Sequence, residues 1–240
     1  MKHAKSAFTL IELLVVITII AILASIAFPV FNTVTERANQ TKDLANIRQV
    51  GVTLKLFASD HNGNFPVTKD PDGTGAPDIT TANQAFRTLF PTYLSNEEIF
   101  SVKGSAYTKN TPDNVIDQNP TGGNYNQTLK AGENSYAYIL NLTETSNPSL
   151  PLVADGFQDP VGTPPIYPTD KSVKGGVWGG KCAIVLNCDG SVNNLNCSTV
   201  TATTYAPMRL PSTGGTTKIN LFATTDSNWL GSTNTAVNPE

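Results

Sequence analysis

The chain has 240 residues and a formal net charge of -3, with 16 Lys plus Arg against 19 Asp plus Glu, so it lacks the basic face that holds a phosphate backbone, and nucleic acid is set aside as a partner. Only 15% of residues are charged, while 18 Gly and 16 Pro accompany abundant Asn, Thr and Ser; this balance fits a loop-rich β protein working outside the cytoplasm better than a compact helical enzyme. The length allows one extracytoplasmic domain with a modest core.

Residues 1–7 carry Lys2 and Lys5, and from Phe8 to Phe28 the one strongly polar residue is Glu12. Such a stretch, at about 1.5 Å rise per residue, reaches roughly 30 Å, the thickness of a bilayer's hydrocarbon core. Basic residues before it, and none after it until Arg37, favour a cytoplasmic N-terminus with the rest translocated. Three explanations compete: a secretory signal peptide cut near Ser25-Ile26-Ala27, an anchor that is never cut, and a chain cut between Ala7 and Phe8. The first two give Glu12 no role, although a carboxylate in the apolar region costs up to about 2.5–3.5 kcal/mol. The third supplies a partner, because Phe8 then carries a free α-amino group that can meet Glu12 of a neighbouring subunit and neutralise it. The positive end of the helix dipole makes Glu12 tolerable in the monomer.

Ala7-Phe8-Thr9-Leu10-Ile11-Glu12-Leu13 closely resembles the processing signal of type IV prepilins and type II secretion pseudopilins. The resemblance implies that a prepilin peptidase cuts before Phe8 and methylates its new amine, and that Glu12 acts in assembly. The family usually has Gly before the cut, where this chain has Ala7. Pro29 falls where pilin helices often carry a kink-forming proline, whose ring removes one helical hydrogen bond.

The helical pattern continues past Pro29, with Val34, Ala38, Thr41, Ala45, Ile47, Val50, Leu54 and Phe57 recurring between charged positions. This predicts an amphipathic extension of the apolar helix, stopped by Asn62-Gly63 and Pro66. The segment between Phe65 and Asn134 predicts long surface loops with one short helix near Ala82 to Phe90. Strands are expected at Ser135 to Asn141, Leu150 to Ala154, Gly176 to Val177 leading into Lys181 to Leu186, and Ser191 to Leu195. The last two form a hairpin around Asn187-Cys188-Asp189-Gly190. Beyond Ser198, Tyr205, Leu210, Ile219, Leu221, Phe222 and Trp229 predict ordered parts of a polar tail. The fold class is therefore α+β: a long N-terminal helix packed on a small antiparallel sheet, divided into a leader (1–7), a transmembrane segment (8–29), its amphipathic continuation (30–62) and a loop-rich β domain (63–240). Ala58 to Pro66, Asn134 to Tyr138, Val153 to Gly156 and Asn187 to Val192 also resemble stretches of a large group of pilin-like proteins. Many of these have a His before the late Asp-Gly, where this chain has Trp178-Gly179-Gly180.

Catalytic chemistry finds little support. The two histidines, His3 in the leader and His61 at the helix end, allow no triad or His-rich metal site, and no GxSxG, HExxH or GxxxxGK motif occurs. The chain is read as a non-enzyme without a resident cofactor. Some major pseudopilins hold calcium in a loop of the globular domain, and here Asp60 with Asn62, Asp70 with Asp72, and Asp113 to Asp117 offer closely spaced oxygens. None completes an EF-hand, and Asx turns or a helix cap explain the same residues. Cys182, Cys188 and Cys197 lack a CxxC spacing; two of the three can pair in an oxidising periplasm, or all can serve as small core residues.

The function expected is that of a structural subunit of a type II secretion pseudopilus or type IV pilus. Its partners would be prepilin peptidase, other subunits in a homo- or heteropolymer, and an inner-membrane assembly platform. It would sit as a single-pass protein in the bacterial inner membrane, with its C-terminal domain periplasmic or extracellular. The alternative is a tethered binding or carbohydrate-active protein that uses Trp178 and Trp229 for contact.

Overall fold

A computed structural model describes residues 9–67, 79–109, 111–118, 125, 127–211, 216–225 and 229–240. The chain divides into two compact units, residues 1–41 and residues 42–240, and helix α1 (Leu10–Asp60) is continuous through the boundary. Within the first unit α1 is apolar on every side between Leu13 and Phe31, apart from Thr18 and Ser25. Successive residues Leu13, Leu14, Val15, Val16 and Ile17 are all exposed, so no face of this half is hidden within the first unit.

In the second unit α1 behaves as an ordinary amphipathic helix. Ile47, Val50, Leu54 and Phe57 are buried, while Val52 and Leu56 face outward. Gly51 lets the helix approach the sheet closely: a Cβ there would stand 2.6 Å from Leu186 Cδ1. The helix ends as Asn62 adopts the left-handed conformation (φ 55°) and the Gly63 N–H donates to Ala58 O at 2.8 Å, the six-to-one bond of a Schellman cap.

The described strands are β1 (Tyr136–Ile139), β2 (Pro151–Asp155), β3 (Tyr167–Pro168), β4 (Cys182–Asn187), β5 (Val192–Thr201), β6 (Thr204–Arg209), β7 (Ile219–Asn220) and β8 (Ala236–Val237). They form an antiparallel sheet in the order β3-β6-β5-β4-β2-β1-β8, with β7 beside β6. The fold class is α+β, as expected. Central β4 is buried along Cys182 to Leu186, which explains why it reads as a continuous apolar run rather than an alternating one. The β4–β5 hairpin turns where predicted: Gly190 has φ 87°, and Asp189 Oδ1 accepts the Ser191 N–H at 2.7 Å.

Three expectations need correction. Gly176 and Val177 lie in a turn before β4, not in a strand. A Cβ on Gly176 would lie 1.8 Å from the Asp170 carbonyl oxygen, so glycine here serves a tight crossing of two loops. The stretch from Phe65 to Asn134 holds the expected short helix as α2 (Ala82–Arg87), but it is more than surface loops, because the residues after α2 and the turn Glu98–Phe100 bring Leu89, Phe90 and Phe100 into the core beside Phe86. The Phe86 and Phe100 rings lie 5.0 Å apart, and side chains replace absent backbone ladders: Asp117 Oδ2 accepts the N–H groups of Gln127 and Thr128, each at 2.8 Å. Finally, β5 runs to Thr201 and pairs with β6, so the polar tail contributes a hairpin; Leu221 and Phe222 are buried, but Leu210 is exposed.

Gly156, following β2, illustrates how tightly the second unit is closed. A Cβ there would meet Tyr107 Cε2 at 2.6 Å and the Ser135 carbonyl oxygen at 3.0 Å, while the Tyr107 hydroxyl donates to Phe157 O at 2.7 Å. Gly156→Ala is expected to destabilise the second unit by about 1–3 kcal/mol through overpacking, measured by denaturant unfolding of the full chain in detergent micelles.

Candidate functional site

The first described turn of α1 forms a reciprocal cap. The Thr9 N–H and hydroxyl donate to Glu12 Oε2 at 2.9 and 2.7 Å, and the Glu12 N–H returns a bond to Thr9 Oγ1 at 3.3 Å. This is a capping box, in which two otherwise orphaned donors at a helix start are satisfied by residues three apart. Glu12 therefore has a partner within its own chain. The Thr9-x-x-Glu12 spacing is the local sequence signal of this cap. Ala7 and Phe8 lie outside the described residues.

Behind this cap the helix contains a window of mean hydropathy 2.9 with none of it buried in the protein. A long, fully exposed apolar rod is unstable in water and suits lipid or the packed core of an assembly. Hydroxyls on it are satisfied locally: Thr18 donates to Val15 O at 2.8 Å and Ser25 to Ile22 O at 2.7 Å. The helix continues through position 29.

The other singled-out residues are dispersed. Asp60 Oδ2 accepts the Tyr93 hydroxyl at 2.8 Å, and Asn62 is the left-handed residue of the helix cap; Asp70 and Asp72 lie outside the described residues. The ring of His61 stacks on Phe57 with centroids 3.8 Å apart, and its Nδ1 lies 2.7 Å from Phe57 O. Cys182 and Cys188 are buried and Cys197 is half-buried, and burial pushes the Cys188 and Cys197 thiols up to about 12. Trp178 is buried rather than available for contact. Trp229 is half-buried and donates to Leu221 O at 2.9 Å, with the Arg209 guanidinium 4.2 Å from its ring.

Trp178 instead belongs to a buried polar cluster that joins three of the sequence stretches noted above. Its indole N–H and the Ile184 backbone N–H each donate to Asp155 Oδ2 at 2.8 Å, and the Tyr136 hydroxyl donates to Asp43 Oδ1. Asp43 and Asp155 lie close enough that each shifts the other's titration, and their remaining oxygens, Asp43 Oδ2 and Asp155 Oδ1, are buried without a hydrogen-bond partner. Two buried carboxyls in contact must share a proton, since both cannot carry charge there. Asp43 holds it: burial and the neighbouring Asp155 charge drive its titration well above the usual range. The two N–H donors on Asp155 favour its ionised form. The pair clamps α1 to the sheet.

The family model of the prokaryotic N-terminal methylation motif matches residues 2–28. No curated protein and no solved structure matches the chain. The matched span contains the capped Glu12 and almost all of the exposed apolar helix, so the N-terminal segment is prepilin-like, and with one helix apolar enough to cross a bilayer among the described residues it fits a single-pass membrane-anchored protein.

Proposed function

We propose that this chain, which carries a prokaryotic N-terminal methylation motif at residues 2–28, is a structural subunit of a type IV pilus-like filament or a type II secretion pseudopilus. The observation that carries this reading is the single register shared by the motif, the Glu12 cap and the wholly exposed apolar helix behind it. Prepilin peptidase would cut between Ala7 and Phe8 and methylate Phe8, and the released helix would pack against those of neighbouring subunits. There Glu12 would exchange one of its Thr9 bonds for the methylated amine of a neighbour, a charge-assisted contact stronger than a neutral one. Pro29 would bend the rod where it leaves the bilayer. The outward pair Val52 and Leu56, one turn apart on α1, supplies apolar surface for the same packing. The domain beyond residue 62 would lie in the periplasm or on the outside of the filament. The chemistry is done by the peptidase on the chain, so the role is structural rather than enzymatic.

The test is intact-mass and N-terminal peptide analysis of the protein from its native membranes. A chain beginning at Phe8 with one added methyl group is the expected result. A chain beginning near Phe28, or one that keeps Met1, would overturn the filament reading in favour of a secreted or tethered protein.

A further inference from the structure

The chain covers one edge of its own sheet. Residues 233–240 run along the side of β1 that faces away from β2, where β8 pairs Ala236 with Ile139 and Val237 with Tyr138, and the Thr235 carbonyl accepts the Leu140 N–H at 2.9 Å. Two paired residues make a ladder too short to hold a strand in water by itself. Side chains do the rest. Asn238, 8% exposed, accepts the Phe157 N–H on Oδ1 at 3.0 Å, and its carbonyl accepts the Ala82 N–H at 2.9 Å. At the other end, Asn141 Nδ2 donates to Thr233 O at 2.6 Å.

Glu240 fixes this strap to α2. Its carboxylate accepts both terminal nitrogens of Arg87, each at 3.0 Å, and the Thr81 hydroxyl at 2.9 Å. Arg87 is itself oriented by bonds to the Thr128 and Leu129 carbonyls, each 3.0 Å. A bidentate pair of this kind, with side chains 14% and 24% exposed, is stronger and more directional than an ordinary surface ion pair. An uncovered edge strand offers its N–H and C=O groups to any other strand. β8 ends the sheet without offering such an edge of its own, because it is two residues long and Pro239 follows close behind it, with no N–H to donate. Lifting the strap would bare the Leu140 N–H and the apolar surface that Val237, 7% exposed, shares with β1. The strap lies antiparallel to β1, so a second β1 can take its place about a two-fold axis, each copy giving and receiving the same groups.

We infer that residues 233–240 form a latch over the β1 edge, with the Glu240–Arg87 pair as its catch, and that opening the latch turns β1 into a pairing surface for β1 of a second copy of this chain. Closed, the latch keeps copies from joining sheet to sheet. It would work equally in a filament subunit and in a tethered protein.

The test compares the full chain with Glu240→Ala in detergent micelles. In dilute samples, hydrogen exchange read by mass spectrometry should show the Leu140 amide exchanging at least about tenfold faster in the variant, while β4 keeps its protection. As concentration is raised, light scattering should show the variant forming a dimer while the parent keeps one mass, and the Leu140 amide should regain protection in that dimer. Equal Leu140 exchange in parent and variant overturns Glu240 as the catch. A variant that keeps the parent's mass at every concentration, or a dimer in which Leu140 stays unprotected, overturns pairing through β1. Where Glu240→Ala also strips protection from β4, Glu240→Gln is measured in its place, since it keeps an acceptor for Thr81 and loses only the charge on Arg87. Leu140 exchange at least about threefold faster is then expected, and no change overturns the latch.

Discussion

Glu12→Gln is expected to leave the α1 cap intact yet to reduce incorporation into filaments sharply. Glutamine at the third helical position still accepts from the Thr9 N–H and hydroxyl, the two bonds that now end on Glu12 Oε2 at 2.9 and 2.7 Å, so the helix start is preserved. What glutamine lacks is the negative charge that a neighbour's methylated amine would meet in the apolar surroundings of an assembled filament. Loss of a charge-assisted contact there should reduce incorporation at least about tenfold, or about 1.4 kcal/mol per subunit, read from the filament-to-membrane ratio of the protein in sheared fractions. Glu12→Ala removes both the cap and the charge and should assemble no better. If Glu12→Gln assembles like the parent while Glu12→Ala does not, Glu12 serves only as a cap and the inter-subunit role is wrong. The pair of variants thus separates two functions that one residue combines.

Asp43→Asn is expected to be close to neutral in mild acid and stabilising at alkaline pH. In the parent, the Asp43–Asp155 pair keeps a proton that either carboxyl would lose near pH 4 in the unfolded chain, because burial raises the titration of both. The folded state therefore binds more protons than the unfolded state above that pH. The pair's contribution is fully present below about pH 4 and is lost as pH rises through the raised folded value, at about 1.4 kcal/mol per pH unit across that window. Asparagine supplies a permanent N–H donor to Asp155 Oδ1 and keeps an acceptor for the Tyr136 hydroxyl, so it removes the proton requirement without removing the bonds. The stability difference between variant and parent should grow from near zero at about pH 4 to roughly 1.5–3 kcal/mol at pH 8, measured by denaturant unfolding of the full chain in micelles. Asp43→Ala should instead destabilise at both pH values by about 2–4 kcal/mol, because Asp155 loses a buried partner. A difference for Asp43→Asn that does not change with pH would mean that the pair shares no proton.

The two variants probe features of different legibility. Glu12 is legible because a lone carboxylate in a predominantly apolar stretch of twenty-one residues, Phe8 to Phe28, contradicts its surroundings, and the short-range pattern around it, from the Phe8 register to Thr9 three residues before it, is local chain chemistry. Asp43 and Asp155 did not stand out. Each is one acidic residue among 19, Asp43 on a helix otherwise studded with charges, and Asp155 in an Asp-Gly pair that suggests a turn. Trp178 is illegible for a related reason: a tryptophan between Gly-rich turns looks like a surface contact until β4 provides Ile184 beside the same carboxylate.

Sequence by itself determined the elements whose signals are periodic or contiguous: the apolar rod, its amphipathic continuation, the α2 helix at Ala82, the hairpin around Asp189-Gly190, and the α+β class that follows from them. These depend on interactions within a few residues, where side-chain period and backbone preference act directly. Tertiary structure alone decided the pairing of β8 with β1, the burial of Phe100 from a stretch that reads as loops, and the meeting of Asp43 with Asp155 and of Glu97 with Asp113 and Glu133. In each of these the partners are separated by loops whose closure cost rises only slowly with length, so no spacing rule records which acidic residue, among many, will find another. The burial that makes those meetings consequential arises only once the sheet and helix have excluded water from between them.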